Sequence, residues 1–446
     1  MTPPRSSTGD FDPPGTLVRG VGLPGAVFMG LGSIVGTGLF VSLGIAAGVV
    51  GDGILLALPL AALLALCNGL SSAQLAAAHP VSGGTYEYGY RFLSAPFGFT
   101  AGWMFLLAKG ASAATAALGL AGYLLLLSGF EAQAGLRTAL AVLAVAILTV
   151  LLLGGIRRTN RVNMVIVGFT LVALGWFLVM GLPRVIGGSL GAAEGPGGLS
   201  LDLTGSGPGP LLHATALLFV AYTGYGRIAT LGEEVRNPSV TIPRAIWLTL
   251  AAVALLYSAV ALVALGTLGA TGFAEVTRQT AAPLQAAADQ LGVPGLALAV
   301  GVAAITAMLG VLLNLILGLS RVALAMGRRA DLPRALAGVH AESGSPRPAT
   351  LGVGGVIVLL VLIGDVSLTW SFSAFTVLIY YGITNLAAFR LPADLRRYPR
   401  WVPALGLVGC LILAFQVPVA VWASGSALLV GGLLVHLALR RRASGP

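Results

Sequence analysis

Long apolar runs alternate with short polar segments over most of the chain. The runs are about 20 residues long, the length that a helix needs to cross about 30 Å of hydrocarbon. This pattern predicts an all-α polytopic membrane protein with twelve transmembrane helices. The predicted spans are residues 22–48, 54–78, 97–128, 134–154, 162–182, 211–231, 244–266, 294–326, 349–364, 366–389, 401–418 and 419–439.

The composition excludes a soluble protein of this size. Of the 446 residues, 57% are hydrophobic and 9% are charged, and the mean hydropathy is +0.94. A soluble fold could not bury so much apolar surface. Cys67 and Cys410 lie inside apolar runs, so we expect core residues and no disulfide framework. Residues 1–19 are polar and rich in proline, and we expect them to form a disordered cytoplasmic tail.

The basic residues predict how the spans are oriented. An even number of spans places both termini on one side. With the N-terminus in the cytoplasm, all of the 25 Lys and Arg residues except four lie in cytoplasmic segments or at nearby helix ends. The exceptions are Arg137, Arg184 and Arg278 on the outside and Lys109 within span 3. This asymmetry follows the positive-inside rule.

The orientation explains the net charge of +10 without a nucleic-acid partner. We therefore predict an integral cell-membrane protein that is surrounded by lipid. Both termini, including a short tail at residues 440–446, are predicted to lie in the cytoplasm.

Two pairs of similar spans predict an internal repeat. Span 1 contains GSIVGTG and span 6 contains FVAYTGYG, and spans 3 and 8 are both long enough to be strongly tilted. These pairs correspond if spans 1–5 and 6–10 are two copies of one unit. Because five is odd, the second copy is inserted upside down. The predicted units are residues 20–182 and 211–389, with residues 401–439 outside the repeat.

The glycines of span 1 have two interpretations. Gly32 and Gly36 have the spacing of a packing notch between helices. At about 100° per residue, however, Gly30, Gly32, Gly36 and Gly38 spread around the helix and do not form one face. This favours local unwinding, and a matched pair of broken helices indicates a binding site near the middle of the membrane.

Four motifs resemble those of the amino acid–polyamine–organocation superfamily of secondary transporters. They are GLGSIVGTGLF in span 1, HPVSGGTYEYGYRF after span 2, ATLGEEVRNPSVTIPRAI between spans 6 and 7, and GLSRVALAMGRRADLP at the end of span 8. The resemblance covers almost the whole chain from about Gly20 onward. It implies a leucine-transporter-type 5+5 inverted repeat plus two extra helices, and transport of amino acids or amines.

The two breaks suit the charged groups of an α-amino acid. Unpaired N–H and C=O groups would cost several kcal/mol each in lipid, so they need a polar ligand or water. The half-helix that starts near Thr37 directs N–H groups and its positive dipole end towards a carboxylate. Carbonyl groups around Phe219 to Thr223 can accept hydrogen bonds from an ammonium.

The resemblance supplies the candidate residues for this mode of binding. It implies a carboxylate site at Ser33, Ile34, Gly36, Thr37 and Gly38, and an ammonium site and lid at Phe219, Ala221, Tyr222 and Gly224. Aromatic bulk from Phe219, Tyr222 and Tyr225 is either an occluding gate or ordinary core packing.

The distribution of carboxylates bears on the substrate side chain. All fifteen carboxylates fall in loops, tails or span ends, whereas a cationic side chain would need a desolvated partner. The predicted pocket wall, Ala108, Ser112, Ala113 and Asn314, is small or neutral. This favours a neutral amino acid of small or medium size. An exchanger or uniporter of cationic amino acids or polyamines remains the alternative.

The chain has a single lysine, Lys109, which lies deep inside span 3. A charge at that depth is costly and marks a functional candidate. Burial favours the neutral amine, so Lys109 is a candidate to bind and release a coupling proton. The alternative is a lysine that is structurally paired or reaches to the membrane surface.

The resemblance adds a detail about coupling. Several proton-coupled or sodium-independent members of the superfamily carry a lysine in helix 5 in place of a sodium ion, and the matching position here is Thr170. Either Lys109 substitutes from helix 3 or coupling differs. Sodium is the less favoured coupling ion, because Thr306 offers only a single hydroxyl ligand.

The remaining polar residues predict no enzyme. Glu233, Glu234 and Arg236 are predicted to form either a cytoplasmic gate or a solvated cluster. His79 and His213 lie at span ends without ligand partners, so we predict no metal site and no cofactor. Nothing resembles a catalytic nucleophile with its base or a phosphate loop. The alternative from another class is a channel or a membrane scaffold without a transport cycle. No feature predicts an oligomeric state.

Overall fold

The computed structural model describes residues 21–79, 83–130, 133–154, 160–187, 207–229, 235–340 and 344–443. The described residues form sixteen α-helices joined by turns and short connections. Their bounds are α1 (Leu23–Ile34), α2 (Leu43–Val50), α3 (Ile54–Ala78), α4 (Thr85–Phe92), α5 (Ala95–Leu127), α6 (Ala134–Leu153), α7 (Asn160–Ile186), α8 (Pro208–Tyr222), α9 (Gly226–Ala229), α10 (Pro238–Thr280), α11 (Pro283–Gln290), α12 (Leu296–Arg328), α13 (Arg347–Val361), α14 (Val366–Phe389), α15 (Trp401–Ala414) and α16 (Val419–Ala443).

The helices confirm an all-α membrane architecture. Within the described residues, eight helical stretches are long and apolar enough to cross a membrane by length and composition, and α1, α13 and α15 are shorter apolar helices. Each predicted span overlaps a helix. Helix lengths alone do not determine the number of membrane crossings or the inverted repeat, and both remain proposals. The tail at residues 1–19 lies outside the described residues.

Two long helices pack against each other in the bundle. Helices α5 and α12, the counterparts of spans 3 and 8, are each 33 residues long. Helix α5 packs against α12 and α14, and α3 packs against α8 and α10. The α5 sequence is rich in alanine and glycine, and such small residues let neighbouring helices approach closely.

Span 7 is followed by a second helical segment. Helix α10 (Pro238–Thr280) is interrupted at Gly269, close to the predicted end of the span at residue 266, where the backbone is not helical (φ 66°, ψ 163°). That backbone conformation favours glycine. The extended helix packs against both α1 and α2, the two halves of span 1.

The two ends of the bundle differ in charge. We call the end that carries Arg236 and Arg329 the arginine-rich end. At the opposite end, the Arg137 guanidinium donates to backbone carbonyl oxygens at the end of α10 and the start of α14, at 3.0 to 3.3 Å. Nearby, Arg184 donates to the carbonyl oxygen of Leu291. These contacts bring the arginines predicted to lie outside to one end of the bundle.

Candidate substrate site

Span 1 is interrupted inside the GSIVGTG stretch. Helix α1 ends at Ile34, and Val35 is extended (φ −75°, ψ 101°). The chain becomes helical again as a π-helical turn at Gly38–Ser42, which leads into α2. The first N–H groups of a restarting helix lack intrahelical acceptors, and π-helical turns occur frequently at functional sites. The break therefore exposes donors where the sequence predicts a carboxylate site.

Span 6 is interrupted by a tighter turn. Helix α8 runs through Tyr222, a 3₁₀ turn follows at Thr223–Tyr225, and α9 begins at Gly226. Side chains donate to backbone oxygens along this segment: Trp370 Nε1 to Leu217 at 2.9 Å and the Tyr381 hydroxyl to Thr223 at 3.2 Å. The helix deviates from regular geometry at Thr223, the last residue of the segment whose carbonyl groups were predicted to accept hydrogen bonds.

The two breaks contact each other through two glycines. A Cβ on Gly38 would lie 2.6 Å from Ala221 Cβ and 2.8 Å from Ala221 Cα. A Cβ on Gly224 would overlap the carbonyl oxygen of Ser33. Only glycine permits this approach of one backbone to the other, so the residues predicted for the two halves of the site form one cluster.

Tyr257 of α10 joins the two breaks, and no motif in the sequence predicted this. Its hydroxyl donates to the Ile34 carbonyl oxygen at 2.9 Å and also lies 3.4 Å from that of Ala221. The side chain is completely buried, and its ring lies 5.4 Å from that of Tyr222. A lone tyrosine in an aliphatic span was the available signal, because a buried tyrosine hydroxyl usually has a partner.

The half-helix after the first break contains a buried hydroxyl without a partner. Thr37 Oγ1 has no hydrogen bond to any described residue, although only 3% of Thr37 is exposed. By contrast, the neighbouring carbonyl oxygen of Phe40 accepts from the Tyr123 hydroxyl at 2.9 Å. Because buried polar groups are nearly always paired, Thr37 offers a hydroxyl to a ligand.

Lys109 contacts the second break. Its Nζ donates to Thr223 Oγ1 at 2.8 Å, and that hydroxyl donates to the Val220 carbonyl oxygen at 2.7 Å. The lysine is half-buried. Among the described residues, no carboxylate lies within ion-pair distance of its Nζ. Lys109 is therefore held by a hydroxyl of the broken helix and not by a counter-ion.

The predicted pocket wall is only partly brought together. Ala108 and Ala113 are completely buried, and the hydroxyl of Ser112 lies 2.7 Å from that of Ser373. Asn314 has an exposed side chain on α12, so nothing in its placement joins it to the other three.

Two of the three aromatic candidates, Phe219 and Tyr225, contact Tyr381 of α14. The rings of Phe219 and Tyr225 lie 5.6 and 5.5 Å from the Tyr381 ring. The same tyrosine donates to the second break through its hydroxyl, as described above. This arrangement is compatible with both interpretations of the aromatic side chains, a gate and core packing.

A small cavity adjoins the first break. One of its lining residues is Thr170, the position that matches the helix 5 lysine of other superfamily members. The cavity is lined by residues of α1, α7 and α12, among them Gly32, Asn163 and Thr170. The Thr170 hydroxyl donates to the Ile166 carbonyl oxygen at 2.8 Å. The Thr306 hydroxyl likewise lies near carbonyl oxygens of its own helix, at 2.9 and 3.1 Å.

Of the three gate candidates, only Arg236 lies among the described residues. Its backbone N–H donates to the Val21 carbonyl oxygen at 2.9 Å, which joins the chain before span 1 to the chain after span 6. Glu233 and Glu234 lie outside the described residues. Within the described part of the chain, no three His, Cys, Asp or Glu side chains are grouped to hold a metal ion.

Comparisons with known proteins identify the family of the chain. A sequence profile of the amino acid permease family matches residues 25–441. An uncharacterized transporter of Mycobacterium tuberculosis is 43% identical, over 95% of this chain and 92% of the relative. A branched-chain amino acid permease of Bacillus subtilis is 25% identical, over 96% and 94%. A chloroplastic cationic amino acid transporter of Arabidopsis thaliana is 27% identical, over 81% and 64%. The chain belongs to the amino acid permease family.

Proposed function

We propose that this protein is a secondary transporter that carries a neutral amino acid of small or medium size across the cell membrane by alternating access. The observation that carries the proposal is the contact between the two breaks, where Gly38 meets Ala221 and Gly224 meets Ser33. The first break offers backbone donors, and both breaks offer carbonyl oxygens.

The substrate is held by its main-chain groups. The carboxylate binds the N–H groups after the first break together with the Thr37 hydroxyl, which has no partner among the described residues. The ammonium binds carbonyl oxygens of the two breaks, including that of Ile34. A ligand that satisfies these groups removes the cost of breaking two helices inside a membrane.

A neutral side chain fits the surroundings best. The described residues around the breaks include no carboxylate that could pair with a cationic side chain, and Lys109 adds a cation. The name of the branched-chain relative supports a neutral substrate. The name of the cationic relative supports the alternative, so arginine and lysine belong in any substrate test.

We infer that the described conformation is open towards the arginine-rich end. All residues from Ile34 to Ala47 and from Ala214 to Thr223 are buried, whereas Ser33, Gly224 and Lys109 are half-buried. Twelve crossings in a 5+5 inverted repeat, with the arginine-rich end in the cytoplasm, fit this asymmetry.

Saturable uptake into vesicles with the purified protein tests the function, whereas linear flux would indicate a channel.

Lys109 is the proposed proton carrier of the cycle. As an ammonium it donates to Thr223 Oγ1 and thereby ties α5 to the second break. As a neutral amine it loses the charge that makes this bond strong, which frees the second break to move. Proton binding at Lys109 and the geometry of the ammonium site are thus linked.

We expect Lys109→Ala to reduce the pH dependence of uptake, because the Thr223 hydroxyl then loses its ammonium donor. Lys109→Gln keeps a hydrogen-bond donor for Thr223 but cannot titrate near neutral pH, so it should retain uptake with the same reduced pH dependence. The measurement is initial uptake into vesicles over a range of external pH. Unchanged pH dependence in Lys109→Ala would exclude this role.

A further inference from the structure

An acidic side chain is buried at the arginine-rich end of the bundle. Asp331 follows α12, and the chain reverses there through Ala330, which has a positive φ of 59°. The Asp331 N–H donates to the Met326 carbonyl oxygen at 2.9 Å, which closes this turn. The Asp331 side chain is 0% exposed. The turn therefore directs a carboxylate back into the protein.

Three side chains from two other helices contact the Asp331 carboxylate. The hydroxyls of Tyr86 and Tyr90, both on α4, donate to Oδ2 at 2.6 Å each. On the other side, Oδ1 lies 3.2 Å from Nδ1 of His436 on α16. The carboxylate thus joins three helices that are far apart in the chain.

His436 is as deeply buried as its partner. Its side chain is 1% exposed, and its ring stacks on Phe99 of α5 with centroids 4.3 Å apart and planes 18° apart. A second link joins the same helices, because Trp103 Nε1 donates to the Leu428 carbonyl oxygen at 2.9 Å. Helix α16 is therefore fixed to α5 beside the carboxylate.

The groups that face this pair carry few charges. Tyr86 and Tyr90 are the titratable groups in direct contact. Burial, followed by the hydrogen bond to Asp331, raises the pKa of Tyr86 well above its usual range, so its phenol stays protonated and donates. Behind them, the Arg329 guanidinium lies over both tyrosine rings at 5.1 and 4.2 Å and pairs with Glu87 at 3.0 Å.

The chemistry of the pair depends on one proton. A buried carboxylate needs hydrogen bonds or a counter-charge, and the two phenols supply only neutral donors. The contact between His436 Nδ1 and Asp331 Oδ1 at 3.2 Å does not have hydrogen-bond geometry, so a protonated imidazole contributes a counter-charge, whereas a neutral imidazole contributes none. Histidine changes charge in the range between about pH 5 and about pH 8.

We propose that Asp331 and His436 form a proton-binding latch at the arginine-rich end, which holds α4 and the end of α12 against α16 and is tightest when His436 is protonated. Helix α4 belongs to the first predicted repeat, α12 to the second and α16 to neither. The latch therefore resists the relative motion that alternating access requires. Its effect on transport rests on the proposed function, but its existence does not.

Hydrogen–deuterium exchange of the purified full-length protein tests the latch without any substrate. The readout is the exchange of peptides that cover residues 83–92 and 326–333, corrected for the intrinsic rate at each pH. In the wild type, we expect exchange at about pH 8 to be at least about fivefold faster than at about pH 5. Loss of the imidazolium weakens the contact that holds both segments.

Two substitutions separate the latch from general effects of pH. His436→Gln removes the titrating group, so both segments should exchange at the same corrected rate at either pH. His213→Gln changes a half-buried histidine on α8 and should keep the wild-type response. Wild-type exchange that is independent of pH, or a pH response that survives in His436→Gln, would overturn the proposal.

A third variant covers the case in which His436→Gln does not fold. Tyr90→Phe removes one donor from the carboxylate and leaves the imidazole in place. We expect faster exchange of both segments at each pH and a retained pH response. The pH dependence of exchange in the wild type tests the latch even if no variant folds. This measurement needs no substrate, so a failure of the transport assays would not affect its result.

Discussion

We expect Gly38→Ala and Gly224→Ala each to lower the uptake rate at least about 100-fold, because the two breaks can no longer approach each other. The new Cβ of Gly38→Ala would lie 2.8 Å from the backbone Cα of Ala221. That of Gly224→Ala would meet the backbone carbonyl of Ser33. Backbone atoms cannot rotate away as a side chain can, so each variant must separate the broken helices. The measurement is initial uptake into vesicles.

Gly175→Ala is the matched control for both glycine variants. A Cβ at Gly175, on α7, would have no heavy atom within 4 Å, and alanine favours the helix by about 1 kcal/mol over glycine. We expect wild-type uptake and an equal or higher unfolding temperature. Uptake near the wild-type rate in Gly38→Ala or Gly224→Ala would contradict the proposed contact site.

Tyr257→Phe is expected to weaken the apparent affinity for the amino acid while leaving the maximal rate less affected. The hydroxyl is the described group that reaches both the Ile34 and the Ala221 carbonyl oxygens. A hydrogen bond that positions these carbonyl groups for the ammonium contributes about 0.5–1.5 kcal/mol, which corresponds to roughly a 2- to 12-fold increase in KM. Uptake measured against substrate concentration separates KM from the maximal rate.

Tyr398→Phe provides the control for loss of a tyrosine hydroxyl. Tyr398 lies in the connection between α14 and α15, away from both breaks, and its replacement should leave KM unchanged. Equal unfolding temperatures of the two variants would show that the Tyr257 effect is local. A wild-type KM in Tyr257→Phe would mean that the hydroxyl does not organise the substrate site.

The sequence predicted the elements and the first break well because both depend on local pattern. Apolar runs marked the helices, and the GSIVGTG stretch marked the place where α1 ends and the chain restarts. The second break begins at Thr223, because α8 remains helical through Tyr222. It therefore lies at the end of the Phe219 to Thr223 segment whose carbonyl groups were predicted to accept hydrogen bonds. The predicted end of span 7, residue 266, lies close to the interruption of α10 at Gly269.

The contacts between distant residues could not be predicted from one sequence. Lys109 was recognised by its depth in span 3, but its partner Thr223 lies 114 positions away. Tyr257 has no motif around it and gains its importance from two carbonyl groups on other helices. Asp331 was predicted only to lie, like the other carboxylates, in a loop, a tail or a span end, and the folded chain shows that it is buried against His436.

Counterflow in vesicles tests the central claim, that an amino acid is carried between the two breaks, most directly. Vesicles with the purified protein are loaded with one unlabelled amino acid after another, including arginine and lysine, and the labelled compound is added outside. We predict transient accumulation of the label above its equilibrium level. An amidated carboxyl group or an acetylated amino group on the trapped compound should abolish it, as should Gly224→Ala. Linear flux that ignores the trapped compound and persists in Gly224→Ala would contradict the claim.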